Sequence, residues 1–528
     1  MSLQHTQNKI LFFTDHEKRV AELAQEAGFT HIAISSEVSP QVKFRERSAA
    51  VCTEIYLLPI VRNYVDNFLS SFKTPPKRVD FMCSDGGLRS SDKFSGNAAL
   101  VSGPAGGVVG IAKSCFDSTE RKPIIGFDMG GTSTDICRFD GEYTRLQATM
   151  IAGRKIASPM LEIATVAAGG GSILSLRNGL FAVGPESAGA HPGPACYRKG
   201  GPLTVTDANL FLGRLVTSSF PSIFGPKGDE PLDIEIVRTK FEELTKDIKS
   251  ELKLELSLQE VALGFLKIAN ENMGRPIRNA TEARGFATES HNLVTYGGAG
   301  PRKLFAIFLM MMRATANIIE HACAIASSLG INRIVIQNYS SVLSAYGIAL
   351  AEVESEISEP CSLNFSLDVL PQVRQRITAL QQRVKQDLIS QDIKEHSIKY
   401  TAALSLHYQG TETMIPVFTP EDEDYGKAFS DTHLREFGFS LSKKILVSDI
   451  KVRGTGSAVD DSRIEAEVTF DELNTISNIS AKAQSSSSQS VYLAQGWEEV
   501  PIYRVEEVPR GSKILVRAKV FTEKLELH

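Results

Sequence analysis

Residues 126–135, GFDMGGTSTD, constrain the fold of this chain more than any other stretch. They extend an apolar run, Pro123 to Phe127, that reads as a buried strand, and lead into ICRFDG, a second strand ending in a turn. A tight hairpin needs at most about two glycines. Here Gly130 and Gly131 are followed by Thr132, Ser133 and Thr134, with Asp128 before them and Asp135 after. Glycine lets backbone N–H groups approach a ligand with no Cβ in the way. Consecutive N–H groups form an anion-binding concavity. The two aspartates would repel bare phosphate at short range. They make sense when Mg²⁺ sits between carboxylate and phosphate, directly or through water, or when one of them orients a water. The combination predicts a nucleoside triphosphate on a strand–loop–strand hairpin, with Asp128 and Asp135 as the catalytic and metal-side groups. For a single loop of this kind, a polar hairpin without a ligand is the competing reading.

Further glycine loops shift that balance. SGPAGGVVG, 102–110, is expected to open a helix at Val108 with its dipole facing an anion. Gly169, Gly170 and Gly171 form a second run, and Gly297, Gly298, Ala299 and Gly300 a third, placed where an α/β nucleotide site needs flat backbone against a base or ribose. No Walker G-x-x-x-x-G-K-[ST] occurs, and no G-x-G-x-x-G follows a strand.

Around these loops the chain reads as three regions: 1–75, with helices at 17–28 and 49–72 and a strand at THIAIS; 76–350, an α/β body of alternating strands, glycine turns and helices; and 351–528, a smaller, mostly β domain. A helix is expected at 258–273 and another at 370–391, and AKAQSSSSQS, 481–490, as a surface loop. The 528 residues fit about three domains. With 57 basic and 62 acidic residues, nothing suggests a nucleic-acid partner. LFAIFLMMM, 304–312, is too short for a membrane span of ~20 residues. The seven scattered cysteines, none in CxxC spacing, and the short N-terminal apolar run point to a reducing compartment, the cytosol.

Several segments together resemble the hydantoinase A/5-oxoprolinase family: GFDMGGTSTDICRFDG, LVSGPAGGVVG, the long stretch from AAGGGSILSLRNG through AGAHPGPACYRKGG to DANLFLGRL, NENMGRPIRNATEARG, LVTYGGAGP with HACAIASSLGI, SSVLSAYGIALAEV and DIKVRGTG. The resemblance covers nearly the whole chain. It is nearer to eukaryotic 5-oxoprolinases than to bacterial N-methylhydantoinases or acetone carboxylase subunits. It implies an actin/sugar-kinase/Hsp70-like ATPase body and ATP and Mg²⁺ as cofactors. The reaction implied is the opening of a lactam: 5-oxo-L-proline, ATP and water give L-glutamate, ADP and phosphate. Asp128, Gly130, Gly131, Thr132, Thr134 and Asp135 match the family's phosphate loop, and Gly297 to Gly300 its adenosine-side loop. His191 and Cys196 fall in a strongly patterned segment, where a structural histidine and a buried, inert thiol are expected. Arg275, Arg278, Glu282 and Arg284 serve either surface ion pairs or substrate.

Three departures from the family pattern stand out. The first glycine hairpin of the family's N-terminal half-domain is missing, residues 302–320 intervene between GGAG and HACAIA, and the hydantoinase B-like half is absent. The chain is thus read as an ATP-dependent cyclic amidase. The competing readings are a truncated product without turnover, an ATPase half that needs a hydantoinase B-like partner or a homodimer, and a sugar-kinase-like phosphotransferase.

Overall fold

The computed structural model describes residues 14–39, 44–146, 148–151, 153–217, 220–297, 321–337, 339–411, 413–457, 487–504 and 519–521. The chain divides into two compact units that interleave along the sequence. The first comprises Met1–Val109, Tyr143–Glu162 and Gly347–Glu465; the second comprises Gly110–Glu142, Ile163–Tyr346 and Ala466–His528. The change expected near residue 350 coincides with a crossing between units. Residues 76–109 and 143–162, by contrast, side with the C-terminal region rather than with the body that surrounds them in sequence.

In the first unit, a six-stranded sheet runs in the order 80–82, 88–90, 353–364, 445–456, 399–408, 415–418. Three of its strands are the β-runs expected after residue 351. Helices Leu370–Ile389 and Tyr425–Phe437 bury Val373, Leu380, Val384, Leu388 and Phe429 against the sheet. Gly454 allows this packing, since an added Cβ would lie 2.5 Å from Val384. The helix Phe44–Ser70 leaves Tyr56, Ile60 and Tyr64 exposed at four-residue spacing. THIAIS is not a strand: residues 31–34 are irregular and Ser35–Val38 is a helical turn. No strand among the described residues pairs with it, and an unpaired strand leaves its backbone groups without partners.

The first unit also holds a buried ionic cluster. The hairpin 80–82/88–90 turns at Ser84–Gly87, where the Gly87 N–H donates to Asp85 Oδ1 at 3.2 Å. Arg89 pairs with Asp85. Arg145 reaches Glu354 at 2.7 Å and donates through Nε to the Asp85 carbonyl at 2.8 Å. Arg453 contacts Glu354 at 2.6 Å and pairs with Glu356, its cross-strand partner. Three carboxylates thus meet three guanidinium groups.

The second unit is built on a five-stranded mixed sheet in the order 334–335, 292–296, 124–129, 134–139, 163–166. Strand Ile124–Met129 is the PIIGF run: Ile124, Ile125 and Phe127 are fully buried. It pairs in parallel with Asn292–Tyr296 and antiparallel with Thr134–Phe139. Helix Leu258–Ala280 opens with a capping box between Ser257 and Glu260 and buries Phe265, Ala269, Met273 and Ile277. It runs well beyond the expected 273.

Two other expectations are corrected. SGPAGGVVG does not open a helix at Val108; its glycines lie inside the helix Ser102–Ser114. Gly110 serves close packing there, since a Cβ on it would lie 2.7 Å from the Leu343 carbonyl oxygen, whereas Gly103 faces open space. Ser487–Ser490, placed in a loop from composition, belong to strand Ser487–Leu493, which pairs antiparallel with Gly496–Arg504. The remainder of the 481–490 stretch, the segment 302–320 with LFAIFLMMM, and the β-like run at 463–470 lie outside the described residues. Among the described residues, no helix is long and apolar enough to cross a membrane.

Candidate nucleotide site

The hairpin predicted around Gly130 and Gly131 is present. Met129 pairs with Thr134, and the Gly130 N–H donates to the Ser133 carbonyl at 2.8 Å, leaving Gly131 and Thr132 at the tip. The loop carbonyls are turned away from any ligand. Gly130 accepts from the Gly170 N–H at 3.1 Å and Gly131 from the Gly171 N–H at 2.6 Å. Among the described residues, the amides of Gly131, Thr132 and Ser133 donate to no protein acceptor. Three successive N–H groups are thus left unused at a half-buried to exposed tip.

Gly169, Gly170 and Gly171 are the second glycine run read as part of the nucleotide site. The structure uses all three amides internally: Gly169 donates to Ser172 Oγ at 2.9 Å, and the other two to the hairpin. The run is glycine because backbone meets backbone. A Cβ on Gly169 would lie 2.6 Å from the Gly130 carbonyl oxygen, and one on Gly171 would lie 2.9 Å from that of Gly131. Thr134 is likewise committed. It is fully buried, and its hydroxyl donates to the Ala168 carbonyl at 2.6 Å, with Met273 Sδ 3.4 Å away.

Asp128 and Asp135 face each other directly across the hairpin. They belong to a lateral row in which Tyr296, Asp128, Asp135 and Thr165 are register partners on four adjacent strands. The Thr165 hydroxyl donates to Asp135 Oδ1 at 2.5 Å. Among the described residues, neither carboxylate has a cationic partner and Asp128 has no donor. Burial, and then the charge of Asp135, push the Asp128 carboxyl from 3.8 up to about 7. Burial raises Asp135 as well, opposed by the Thr165 bond. Directly opposed like charges are destabilising in a sheet. A cation between them removes that cost, so the donor set fits a divalent ion held by two carboxylates, waters and phosphate oxygens, the usual mode for Mg²⁺. Among the described residues, no group of three or more His, Cys, Asp or Glu side chains forms an all-protein metal cage.

Gly297 follows the parallel strand Asn292–Tyr296 and sits against Asp128. At φ +108° it carries no Cβ, and one placed there would be 2.0 Å from Asp128 Oδ1. Its described contact is therefore with the carboxylate; Gly298, Ala299 and Gly300 lie outside the described residues. The hairpin tip and Gly297 both stand at the carboxyl ends of parallel strands, where open α/β sheets bind ligands.

The AGAHPGPACY segment is a braced turn. Asp207, fully buried, accepts from the amides of Ala195, Cys196 and Thr204 and from the Thr204 hydroxyl, at 2.8–3.0 Å. Cys196 is a buried thiol pushed well above its ordinary range by desolvation, and His191 is exposed. Arg278 pairs with Glu271 at 3.4 Å, and Glu282 accepts from Thr288 at 3.1 Å, so the two do not pair with one another. Arg275 is exposed. Sequence reasoning missed Thr165 and Tyr296, whose only signal was their register beside the two aspartates.

Comparison with known proteins gives the family. The Hydantoinase/oxoprolinase family model matches residues 47–313 and 319–357, breaking only within the segment taken as an insertion. The chain is 53% identical over 502 residues to 5-oxoprolinase PfmaA of Pestalotiopsis fici and 43% identical over 512 residues to 5-oxoprolinase of Saccharomyces cerevisiae. Each alignment covers 95% of this chain and 38% of the relative, so the chain spans well under half the length of these relatives. Among solved structures, ATP-dependent caprolactamase from Pseudomonas jessenii superposes with a TM-score of 0.74 at 23% identity, covering 94% of this chain and 69% of that one. A nucleotide-free acetone carboxylase superposes at 0.67 and 19%, covering 98% and 72%. These likenesses show that the chain shares the α/β fold of those two proteins. By sequence and by fold, the chain belongs to the hydantoinase/oxoprolinase family.

Proposed function

We propose that the second unit binds Mg·ATP at the Asp128–Asp135 hairpin and serves the ATP-dependent opening of a cyclic amide, with 5-oxo-L-proline as the substrate and L-glutamate as the product. The observation that carries this reading is the pairing of three unused amides, at Gly131, Thr132 and Ser133, with an uncompensated carboxylate pair. Amides suit phosphate oxygens; carboxylates suit the cation that accompanies them. The names of the relatives supply the reaction class.

A lactam carbonyl is a poor electrophile with a poor leaving group. Transfer of the γ-phosphoryl group to the amide oxygen releases ADP and leaves an imidate-like phosphate. One water adds to its carbon and the ring C–N bond breaks, freeing the amine and leaving an acyl phosphate; a second water then releases phosphate and leaves the side-chain carboxylate of L-glutamate. In this scheme the hairpin amides hold the phosphates in line, and Asp128 and Asp135 fix the cation. A Mg²⁺ ion held by these two carboxylates would supply positive charge against that developing on the transferred group. Gly169–Gly171 act from behind, as the rigid backing of the loop.

Calorimetric titration with Mg·ATP, followed by phosphate-release assays with 5-oxo-L-proline, with a sugar and with no acceptor, tests the reading. Saturable binding and release that depends on the lactam support it. Release that depends on the sugar favours a phosphotransferase, and absence of saturable binding overturns the site. A second form of the reading, in which this chain works as one subunit beside a hydantoinase B-like partner, takes its support from a 29% identical relative named as caprolactamase subunit alpha of Pseudomonas jessenii. Lactam-dependent release that appears only when a hydantoinase B-like polypeptide is added supports that form.

A further inference from the structure

Behind the hairpin lies a buried polar triad that the site described above does not use. His321 is 1% exposed and Asn209 0%. His321 Nδ1 lies 2.5 Å from Asn270 Oδ1, and Nε2 lies 3.0 Å from Asn209 Nδ2. A carboxamide oxygen only accepts and a carboxamide nitrogen only donates. The neutral Nδ1–H tautomer meets both demands, and burial together with the Arg214 charge lowers the His321 pKa to about 3.

The triad joins three helical segments. Asn209 belongs to Val205–Phe211, Asn270 to Leu258–Ala280, and His321 lies in a helical stretch described over 321–328. Residues three apart share a helix face. Three residues before Asn209 is Thr206, which grips the Gly170 carbonyl through its N–H at 2.8 Å and its hydroxyl at 2.9 Å. Three residues after Asn270 is Met273, whose sulfur meets the Thr134 hydroxyl at 3.4 Å. Gly170 in turn holds Gly130, and Thr134 closes the hairpin. One imidazole therefore sets the spacing of the two helices that hold the phosphate hairpin from behind.

We propose that His321 is a positioning residue: by bridging Asn209 and Asn270 it fixes the two helices whose next turns seat Gly170 and Thr134, and so keeps the hairpin amides aimed at the nucleotide phosphates. This inference rests on the nucleotide reading for its functional half. Its structural half, coupling of His321 to the hairpin, stands separately.

The test compares His321→Ala with His321→Gln in the full chain, since a glutamine amide offers one donor and one acceptor. The readouts are hydrogen exchange at the Gly170 and Gly171 amides, exchange across the rest of the second unit, and Mg·ATP affinity. Expected for His321→Ala are about tenfold faster exchange at Gly170 and Gly171 and about tenfold weaker Mg·ATP binding, the size typical of lost outer-shell support. Glutamine restores both. Exchange at Gly170 and Gly171 that matches the parent, or that rises evenly throughout the unit without rescue by glutamine, overturns the proposal. If the parent and variants show the exchange contrast but no variant, nor the parent, binds Mg·ATP, the nucleotide reading fails while the coupling is upheld. Should alanine at 321 prevent folding, Asn270→Ala, which removes only the acceptor at a half-buried helix position, gives the same readouts.

Discussion

Among the described residues, two acidic glycine turns come to opposite ends. At Asp85–Gly87 in the first unit, buried carboxylates are met by Arg89, Arg145 and Arg453, and the charges balance within the cluster. At Asp128–Asp135 in the second, two carboxylates oppose each other with no described cation beside them. In the first turn glycine makes room for a neighbouring side chain: a Cβ on Gly87 would lie 2.4 Å from Glu354 Cβ. In the second it leaves amides unused. In a compensated buried cluster the loss of one partner strands the others, whereas an uncompensated pair is a candidate for receiving a cation from solution.

Four experiments break or sharpen this contrast. The largest effect belongs to Asp128→Ala. Lactam-dependent phosphate release is expected to fall by at least about 100-fold, with the urea midpoint unchanged or raised, because a like-charge pair has been removed. Loss of folding together with activity would place Asp128 in the same class as Glu354. Second, Glu354→Ala strands Arg145 and Arg453 and is expected to cost about 3–5 kcal/mol of stability, read from the urea midpoint, with Mg²⁺ affinity of the folded chain retained. A neutral result would dissolve the distinction between the turns.

Third, Gly169→Ala forces a methyl against the Gly130 carbonyl and is expected to cost about 1–3 kcal/mol and to weaken Mg·ATP binding, measured by calorimetry. The last and smallest effect is a pH slope. Asp128 titrates at about 7 in the folded chain and near 3.8 when unperturbed. Between those values the folded chain holds a proton that the unfolded chain has lost. Metal-free stability therefore falls as pH rises from about 4 to about 7 and then levels. Thermal melts across that range check the sign. Saturating Mg²⁺ should lift the neutral end of the curve, and Asp128→Asn should flatten it. A slope that survives in Asp128→Asn would assign the titration elsewhere.

The hairpin was legible because strand, turn and strand are contiguous and announce themselves through hydrophobicity and glycine. The Gly169–Gly171 run was legible as special but not as to purpose: sequence shows that a Cβ is forbidden, and only the fold shows that Gly130 and Gly131 forbid it. THIAIS has the composition of a strand, yet strand formation depends on a partner that local sequence does not reveal. The ionic cluster stayed hidden for a similar reason, since Asp85, Arg145, Glu354 and Arg453 are brought together only by the interleaving of the first unit. The triad of Asn209, Asn270 and His321 carried no local signal, being one residue from each of three helical segments.

The lateral row across the second sheet gives the site an intrinsic optical probe. Tyr296, buried and one register step from Asp128, shares its face with Gly126 and Cys137. A phenol ring so placed feels the local field change when its acidic neighbour gains or loses charge, and its near-ultraviolet absorption shifts accordingly. Cation binding at the proposed site would thereby be visible by difference spectroscopy, with no dye attached and no residue replaced.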